Sequence, residues 1–455
     1  MQKFSTKKNT ETKQKLAGDS TRKQTRNSNL ELCRRLLQHI FKDYRGSTAI
    51  RLWTGEQVIG HAEAPFTLTF LKAYPLRELL LNRSLGALAE AHLKGDVDGQ
   101  GEPEVFFELV DYLQERKWTL KERLTLLLLA VGIAKRPRDA SNVFQSWAAR
   151  THNGRESISH HYDVSNAFYR LFLDPEMVYS CAYFSNPGQT LDAAQQDKLD
   201  YLCRKLRLQP GQSLLDIGCG WGGLAFWAAR HYGARVHGIT LSQQQFDYAT
   251  ARAIELGLED KVRFELRDYR ELSDAQLYDR IVSVGMFEHI GIRNFPDYFS
   301  TGVRLLKEGG LFLNHGITND TGWQRTPATR FINEYIFPDG ELARISDVTS
   351  AMKDQGLEIL DVEQLRPHYA MTLRHWVARL DANCESAINI AGDATYRLWR
   401  LYMAGSAHYF TKGSTGLYQI LACRSHQPWP LPLRRDSLYI PDWEMSGGSD
   451  PGSDR

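Results

Sequence analysis

The run Leu214-Leu215-Asp216-Ile217-Gly218-Cys219-Gly220-Trp221-Gly222-Gly223 ends an apolar stretch in a glycine-rich turn that opens a helical pattern. Glycines in such a turn take backbone angles that side-chained residues avoid, so the chain can approach a ligand closely, and the first N–H groups of the helix face it. The spacing does not match the phosphate loop Gly-x-x-x-x-Gly-Lys-Ser/Thr. An Asp just before the glycines suits a ligand with an ammonium group better than a pyrophosphate, which points to S-adenosylmethionine (SAM). Three further clusters end apolar stretches downstream: Gly238-Ile239-Thr240-Leu241-Ser242 with Gln243, Gln244 and Gln245 after it, Gly285-Met286-Phe287-Glu288-His289, and Asn314-His315-Gly316-Ile317. A carboxylate set between Phe287 and His289 needs a buried partner, which singles out Glu288 for chemistry. No acidic residue closes the second stretch, where dinucleotide folds place their ribose ligand. Thr240 and Gln245 are left to make those hydrogen bonds.

Plain structural readings stand beside these. Cys181 and Cys219, taken singly, have the character of small buried hydrophobes. His160 and His161 read as satisfied structural histidines. Tyr369, Leu373 and Trp376 recur at helical spacing, as a core stripe does.

The elements that must position these clusters are strands near Ser213–Ile217, Arg235–Thr240, Val262–Leu266, Asp279–Val284 and Leu311–Ile317, separated by helical stretches. That alternation predicts βαβ units and a parallel sheet, with ligands at the carboxyl ends of its strands. Segments near Leu357–Gln364 and Tyr418–Cys423 are expected to add edge strands, with helices at Tyr369–Ala387 and Ala394–Ser406 between them. Upstream, Leu30–Phe41 reads as a helix, Ile50–Phe70 as a small antiparallel sheet around Thr54-Gly55-Glu56, and Leu76–Lys94 and Glu104–Tyr112 as helices. Four regions follow: an arm over residues 1–29, a small α+β domain over 30–142, a catalytic domain over 143–427, and a loose tail over 428–455 rich in Pro, Gly, Ser and Asp.

With 455 residues and a net charge of only +2, the chain has the bulk for an enzyme-sized core and lacks the basic excess of a nucleic-acid binder. It also lacks an Asn/Asp-Pro-Pro-Tyr/Phe motif for gripping a flipped base. The charge is uneven. Lys3, Lys7, Lys8, Lys13, Lys15, Arg22, Lys23 and Arg26 face only Glu11 and Asp19 in the arm, a composition suited to anionic headgroups. The longest apolar run, Leu124–Ala134, is too short to span a bilayer, but Arg116, Lys117, Lys121 and Arg123 precede it and Lys135, Arg136 and Arg138 follow it. Such a helix belongs in a core or lies in a headgroup layer. Six scattered cysteines without a Cys-x-x-Cys pair predict neither a zinc site nor a disulfide framework, and fit a reducing cytoplasm.

From Ser157 to Arg424 the chain resembles the cyclopropane-fatty-acid synthases, which group with the cyclopropane mycolic acid synthases among SAM-dependent methyltransferases. The resemblance rests on Ser159-His160-His161-Tyr162-Asp163-Val164-Ser165-Asn166 with Phe168-Tyr169, Tyr179-Ser180-Cys181-Ala182-Tyr183-Phe184, the glycine turn with Trp221, Gly238–Ser242, Gly285–Gly291, Tyr335-Ile336-Phe337-Pro338 and His368-Tyr369. It implies a class I SAM-dependent methyltransferase fold, Rossmann-like with a mainly parallel seven-stranded sheet, beside the smaller N-terminal α+β domain. It implies that Tyr179, Ser180, Asp216, Gly218, Gly220, Thr240, Gln245, Asp268, Tyr269 and Arg270 hold SAM. It places a bicarbonate ion among Cys181, Glu288, His315, the backbone of Ile317 and Tyr369, and lines an acyl-chain pocket with Phe331, Tyr335 and Phe337. Two positions depart from the pattern: Tyr269, where relatives often carry Trp, and Asp339, where they more often carry Gly.

The expected reaction is methylene transfer from SAM to a cis double bond in the acyl chain of a membrane phospholipid. The resemblance further implies a homodimer attached to the inner face of the cytoplasmic membrane. A methyl- or methylene-branched chain would use the same residues; the alternative of another class, a lipid binder without activity, has no use for the set of Cys181, Glu288, His315 and Tyr369.

Overall fold

The computed structural model describes residues 28–81, 85–136, 165–322 and 340–439, with a few isolated positions between 323 and 339. The chain divides into two compact units, one of residues 1–143 with Asp393–Leu401, the other of residues 144–392 with 402–455.

In the first unit a helix over residues 28–40 packs on a four-stranded sheet of β1 (Thr48–Leu52), β2 (Gln57–Ile59), β3 (Phe66–Phe70) and β4 (Val97–Gly101), in the order β2-β1-β3-β4. The sheet is mixed, not antiparallel as expected: β1 pairs antiparallel with β2 but parallel with β3. The cause is the tight turn at Gly55, which returns β2 to the start of β1, so the next strand enters from that end and runs alongside β1. In place of one helix over Leu76–Lys94, two are present, Tyr74–Leu81 and Leu85–Leu93. Arg397 reaches Asp98 at 2.8 Å and Arg400 donates to the Gly101 carbonyl at 2.9 Å, which ties Asp393–Leu401 into this unit.

The helix Leu120–Gly132 satisfies both core and surface readings, each with a different face. Thr119 caps its N-terminus in a box with Glu122. Leu126, Leu129 and Ala130 enter the core, while Leu120, Leu124, Leu128 and Val131 are 84%, 61%, 68% and 63% exposed. Among the described residues no helix is long and apolar enough to cross a membrane.

The second unit is built on a seven-stranded sheet of β5 (Ser213–Ile217), β6 (Arg235–Thr240), β7 (Val262–Leu266), β8 (Tyr278–Val284), β9 (Leu306–Asn319), β10 (Leu357–Gln364) and β11 (Thr415–Arg424). The order is β10-β11-β9-β8-β5-β6-β7, and only β11 runs against its neighbours. β11 is therefore not an edge strand. It inserts between β9 and β10, and its reading Leu417, Ile420, Leu421, Ala422, Cys423 is apolar because both flanks and both faces are covered. Helices Leu191–Lys205, Gly223–His231 and Gln243–Glu255 lie on one face around Leu214, Val236 and Val282. Helices Phe295–Leu305 and Ile345–Asp354 lie on the other around Leu215, Ile239 and Phe312. The two layers bring the ends of β5, β6, β8 and β9 to one rim.

Candidate functional site

Asp216 sits near the end of β5, flanked by Gly238 of β6 and Val282 of β8. It is fully buried, and burial pushes its carboxyl up to about 7 against the opposing pull of the Lys198 ammonium. Gly218, Gly220 and Gly222 follow with φ of 83°, 56° and 89°, a left-handed sequence that fits the expected close approach. A Cβ on Gly218 would also lie 2.9 Å from the Met286 side chain. The N–H groups of Gly218 and Cys219 both donate to the Ile239 carbonyl, at 2.9 and 3.0 Å, which fixes the turn against β6.

At the end of β6 the Thr240 hydroxyl donates to Gln245 Oε1 at 2.7 Å and accepts the Ser242 N–H at 3.2 Å, so the two residues expected to replace an acidic ligand are already oriented by each other. Beyond β7, Asp268 is buried and accepts three bonds from Arg270, at 3.0 Å from its N–H and 2.9 and 2.6 Å from its guanidinium. Tyr269 is buried edge-on against Tyr298, with ring centroids 5.4 Å apart.

The segment Tyr179–Phe184 is gripped from two sides. From helix Leu191–Lys205, Gln195 Nε2 donates to the carbonyls of Val178 (3.3 Å) and Ser180 (2.9 Å), and Lys198 Nζ donates to Ser180 Oγ at 2.9 Å. From helix Arg366–Ala382, Thr372 Oγ1 accepts the Ala182 N–H at 3.0 Å and His368 Nδ1 accepts the Phe184 N–H at 3.0 Å. The Tyr179 ring stacks on Trp376 at 5.1 Å and meets Tyr169 edge-on at 5.4 Å, while Tyr169 also packs on Trp221 at 4.9 Å. Tyr369 packs on Phe410 at 4.7 Å and edge-on to Trp376 at 6.1 Å. The result is a wall of aromatic rings beside the glycine turn.

Glu288 lies in a short 3-10 turn, Phe287–His289, after β8. Its Oε1 accepts the Ile317 N–H at 3.4 Å, and its Oε2 is buried with no hydrogen-bond partner among the described residues. Gly316 makes room for it, since a Cβ there would stand 2.0 Å from the Phe287 ring and 2.7 Å from Oε2. Burial pushes the Glu288 carboxyl up to about 7. His315, on β9, faces Gln419 on β11 at 3.2 Å through Nδ1. With the amide donating there, the ring proton belongs on Nε2, which is buried and also lacks a protein partner. Burial, with the charges of Lys198 and Lys205, holds His315 well below its usual pKa, so the ring is neutral.

Cys181 is a buried thiol whose pKa is pushed up by desolvation, and it donates to the carbonyls of Ala182 (3.2 Å) and Leu365 (4.0 Å). The Leu365 carbonyl also accepts the Tyr369 N–H at 3.2 Å. The Leu365 N–H donates to Leu417, the β11 neighbour of Ile317. Backbone bonds thus tie Cys181, Tyr369 and Ile317 to one end of the sheet, and Glu288 bonds directly to Ile317. Tyr335 is buried; Phe331, Phe337, Asp339, His160 and His161 lie outside the described residues.

Sequence reasoning missed Gln195, Lys198 and Tyr402. The last lies beside Tyr179 and is close enough to Glu288 to feel its charge. The available signal was two polar residues at i and i+3 on a face that otherwise presents Leu191, Leu199 and Leu202.

A sequence model described as mycolic acid cyclopropane synthetase matches residues 149–420. A probable fatty acid methyltransferase from Pseudomonas putida is 41% identical over 86% of this chain and 95% of its own length. Cyclopropane mycolic acid synthase 1 from Mycobacterium tuberculosis is 37% identical over 56% of this chain and 93% of its own. The crystal structure of a mycolic acid cyclopropane synthase complexed with SAH and CTAB superimposes with a TM-score of 0.56 at 35% identity, covering 60% of this chain and 99% of that one.

Proposed function

The chain belongs to the mycolic acid cyclopropane synthetase family and has the class I SAM-dependent methyltransferase fold, and from that premise we propose that it cyclopropanates cis-unsaturated acyl chains of membrane phospholipids. The observation that carries the reading is the pair of buried, unpartnered atoms Glu288 Oε2 and His315 Nε2, one an acceptor and the other a donor. A bound ion with both an O–H and an oxyanion, such as bicarbonate, satisfies both; an empty pair costs about 1–3 kcal/mol per group. The glycine turn with Asp216, and Thr240 with Gln245, fit the cofactor expected there.

When bound, SAM supplies an electrophilic methyl and bicarbonate supplies a base. The protein's residues do the rest. Tyr179, Ser180, Asp216 and the glycine turn hold the cofactor beside the aromatic wall. Trp376, Tyr369 and Phe410 exclude water, which would quench a cation on the acyl chain to an alcohol. Ring faces stabilise that cation by about 2 kcal/mol or more for a desolvated, well-placed ring. Glu288, His315, Cys181 and Tyr369 would hold the ion, which would supply the base that ring closure needs.

Phospholipid as substrate is supported by the exposed apolar face of Leu120–Gly132 between its basic flanks, a geometry for lying in a headgroup layer. The reading carries with it a homodimer on the inner face of the cytoplasmic membrane, with the basic arm over residues 1–29 adding attraction to anionic lipid. A second outcome, a methyl- or methylene-branched chain, is favoured by the similarity to a protein named a fatty acid methyltransferase over most of the chain. Proton NMR of lipid turned over with SAM separates the two: upfield cyclopropyl resonances are expected, and olefinic or branched-methyl resonances alone would assign the branching reaction.

A further inference from the structure

Lys198 comes from helix Leu191–Lys205, and its ammonium is buried with Ser180 as its hydrogen-bond partner at 2.9 Å. An ammonium only donates, so Ser180 Oγ must accept in this bond. The Ser180 hydroxyl proton is thereby turned away from Lys198, and among the described residues no protein group accepts it. The Ser180 carbonyl is held from the same helix by Gln195 at 2.9 Å, so both oxygens of Ser180 accept from helix Leu191–Lys205. The Lys198 charge is felt at Asp216, Cys181 and His315. Asp174 is the remaining acid near it and is occupied, its two oxygens accepting the N–H groups of Val178 (2.9 Å) and Glu176 (3.0 Å).

We propose that Lys198 is a positioning residue that acts through Ser180, aiming its hydroxyl proton at a small carboxylate-type oxyanion bound beside the Tyr179–Cys181 segment. Two sources carry that chemistry in the proposed reaction, on which this inference rests: the methionyl carboxylate of SAM, and bicarbonate. Burial lowers the Lys198 pKa to about 8, yet its carboxylate neighbours keep it charged at neutral pH, as the role requires.

The test uses the full chain and the variants K198M, S180A and K198M/S180A, with SAH titrated by calorimetry and turnover measured on cis-unsaturated phospholipid vesicles against bicarbonate concentration. If the oxyanion is the methionyl carboxylate, K198M and S180A each weaken SAH about tenfold and raise the KM for SAM more than they lower kcat. If it is bicarbonate, SAH affinity holds while the half-saturating bicarbonate concentration rises about tenfold. In either case the double variant is no worse than S180A alone, because both changes remove one arrangement. Wild-type values for both quantities in K198M or S180A, or additive losses in the double variant, overturn the proposal. S180A keeps the test decisive if K198M does not fold. Failure of the wild-type chain to bind SAH would instead strike the functional reading itself.

Discussion

At the scale of single residues the account turns on Glu288. Its carboxyl is buried and raised, the Ile317 N–H donates to Oε1, and among the described residues its second oxygen has no hydrogen-bond partner. Glu288→Gln should leave SAH affinity within a few-fold of wild type and cut turnover by roughly a hundredfold or more, the scale of lost base positioning. Turnover near wild type would remove Glu288 from the chemistry. The same side chain predicts a stability signature. A carboxyl raised from 4.5 to about 7 binds more protons folded than unfolded, so its stabilisation is complete below pH 4.5 and lost as pH rises through 7. The melting temperature of Glu288→Gln relative to wild type should therefore be higher at pH 8 than at pH 5, and a constant difference would contradict the burial. Glu288, Asp216 and His315 were legible in the sequence because each lies in a short run whose neighbours declare a strand end. Gln195, Lys198 and Tyr402 were not, since they come from helices whose register against the sheet is set only by tertiary packing.

At the scale of elements, β5 to β9, five of the six strands that run the same way, could be read from their alternation with helices, but the place of β11 could not. An apolar strand near the end of a chain has the same reading whether it caps a sheet or inserts between two strands. The mixed pairing of β1 and β3 was hidden for a similar reason, because alternation fixes which face is buried and not which way a strand runs. The helix Leu120–Gly132 is the element whose sequence held two messages at once. Its exposed Leu124 and Leu128 make a direct test of lipid contact. The double variant L124E/L128E should bind vesicles at least about tenfold more weakly, since each leucine buried in an apolar layer contributes about 1.5–3 kcal/mol. Its melting temperature should match wild type, as neither side chain enters the core. Equal vesicle binding would take this face out of the membrane reading.

At the scale of the whole molecule, the fold places a glycine turn, a wall of aromatic rings and a buried donor–acceptor pair around one rim of a seven-stranded sheet. Methyl transfer to an unactivated double bond asks for that combination, because the olefin is a weak nucleophile that has to meet an electrophile without water. The most direct measurement is transfer of label from methyl-labelled SAM into the acyl chains of cis-unsaturated phospholipid vesicles by the purified full chain. The account predicts label in the lipid with wild-type protein and its near loss with Glu288→Gln. No label above background with wild-type protein that binds SAH, or equal label with Glu288→Gln, would contradict it.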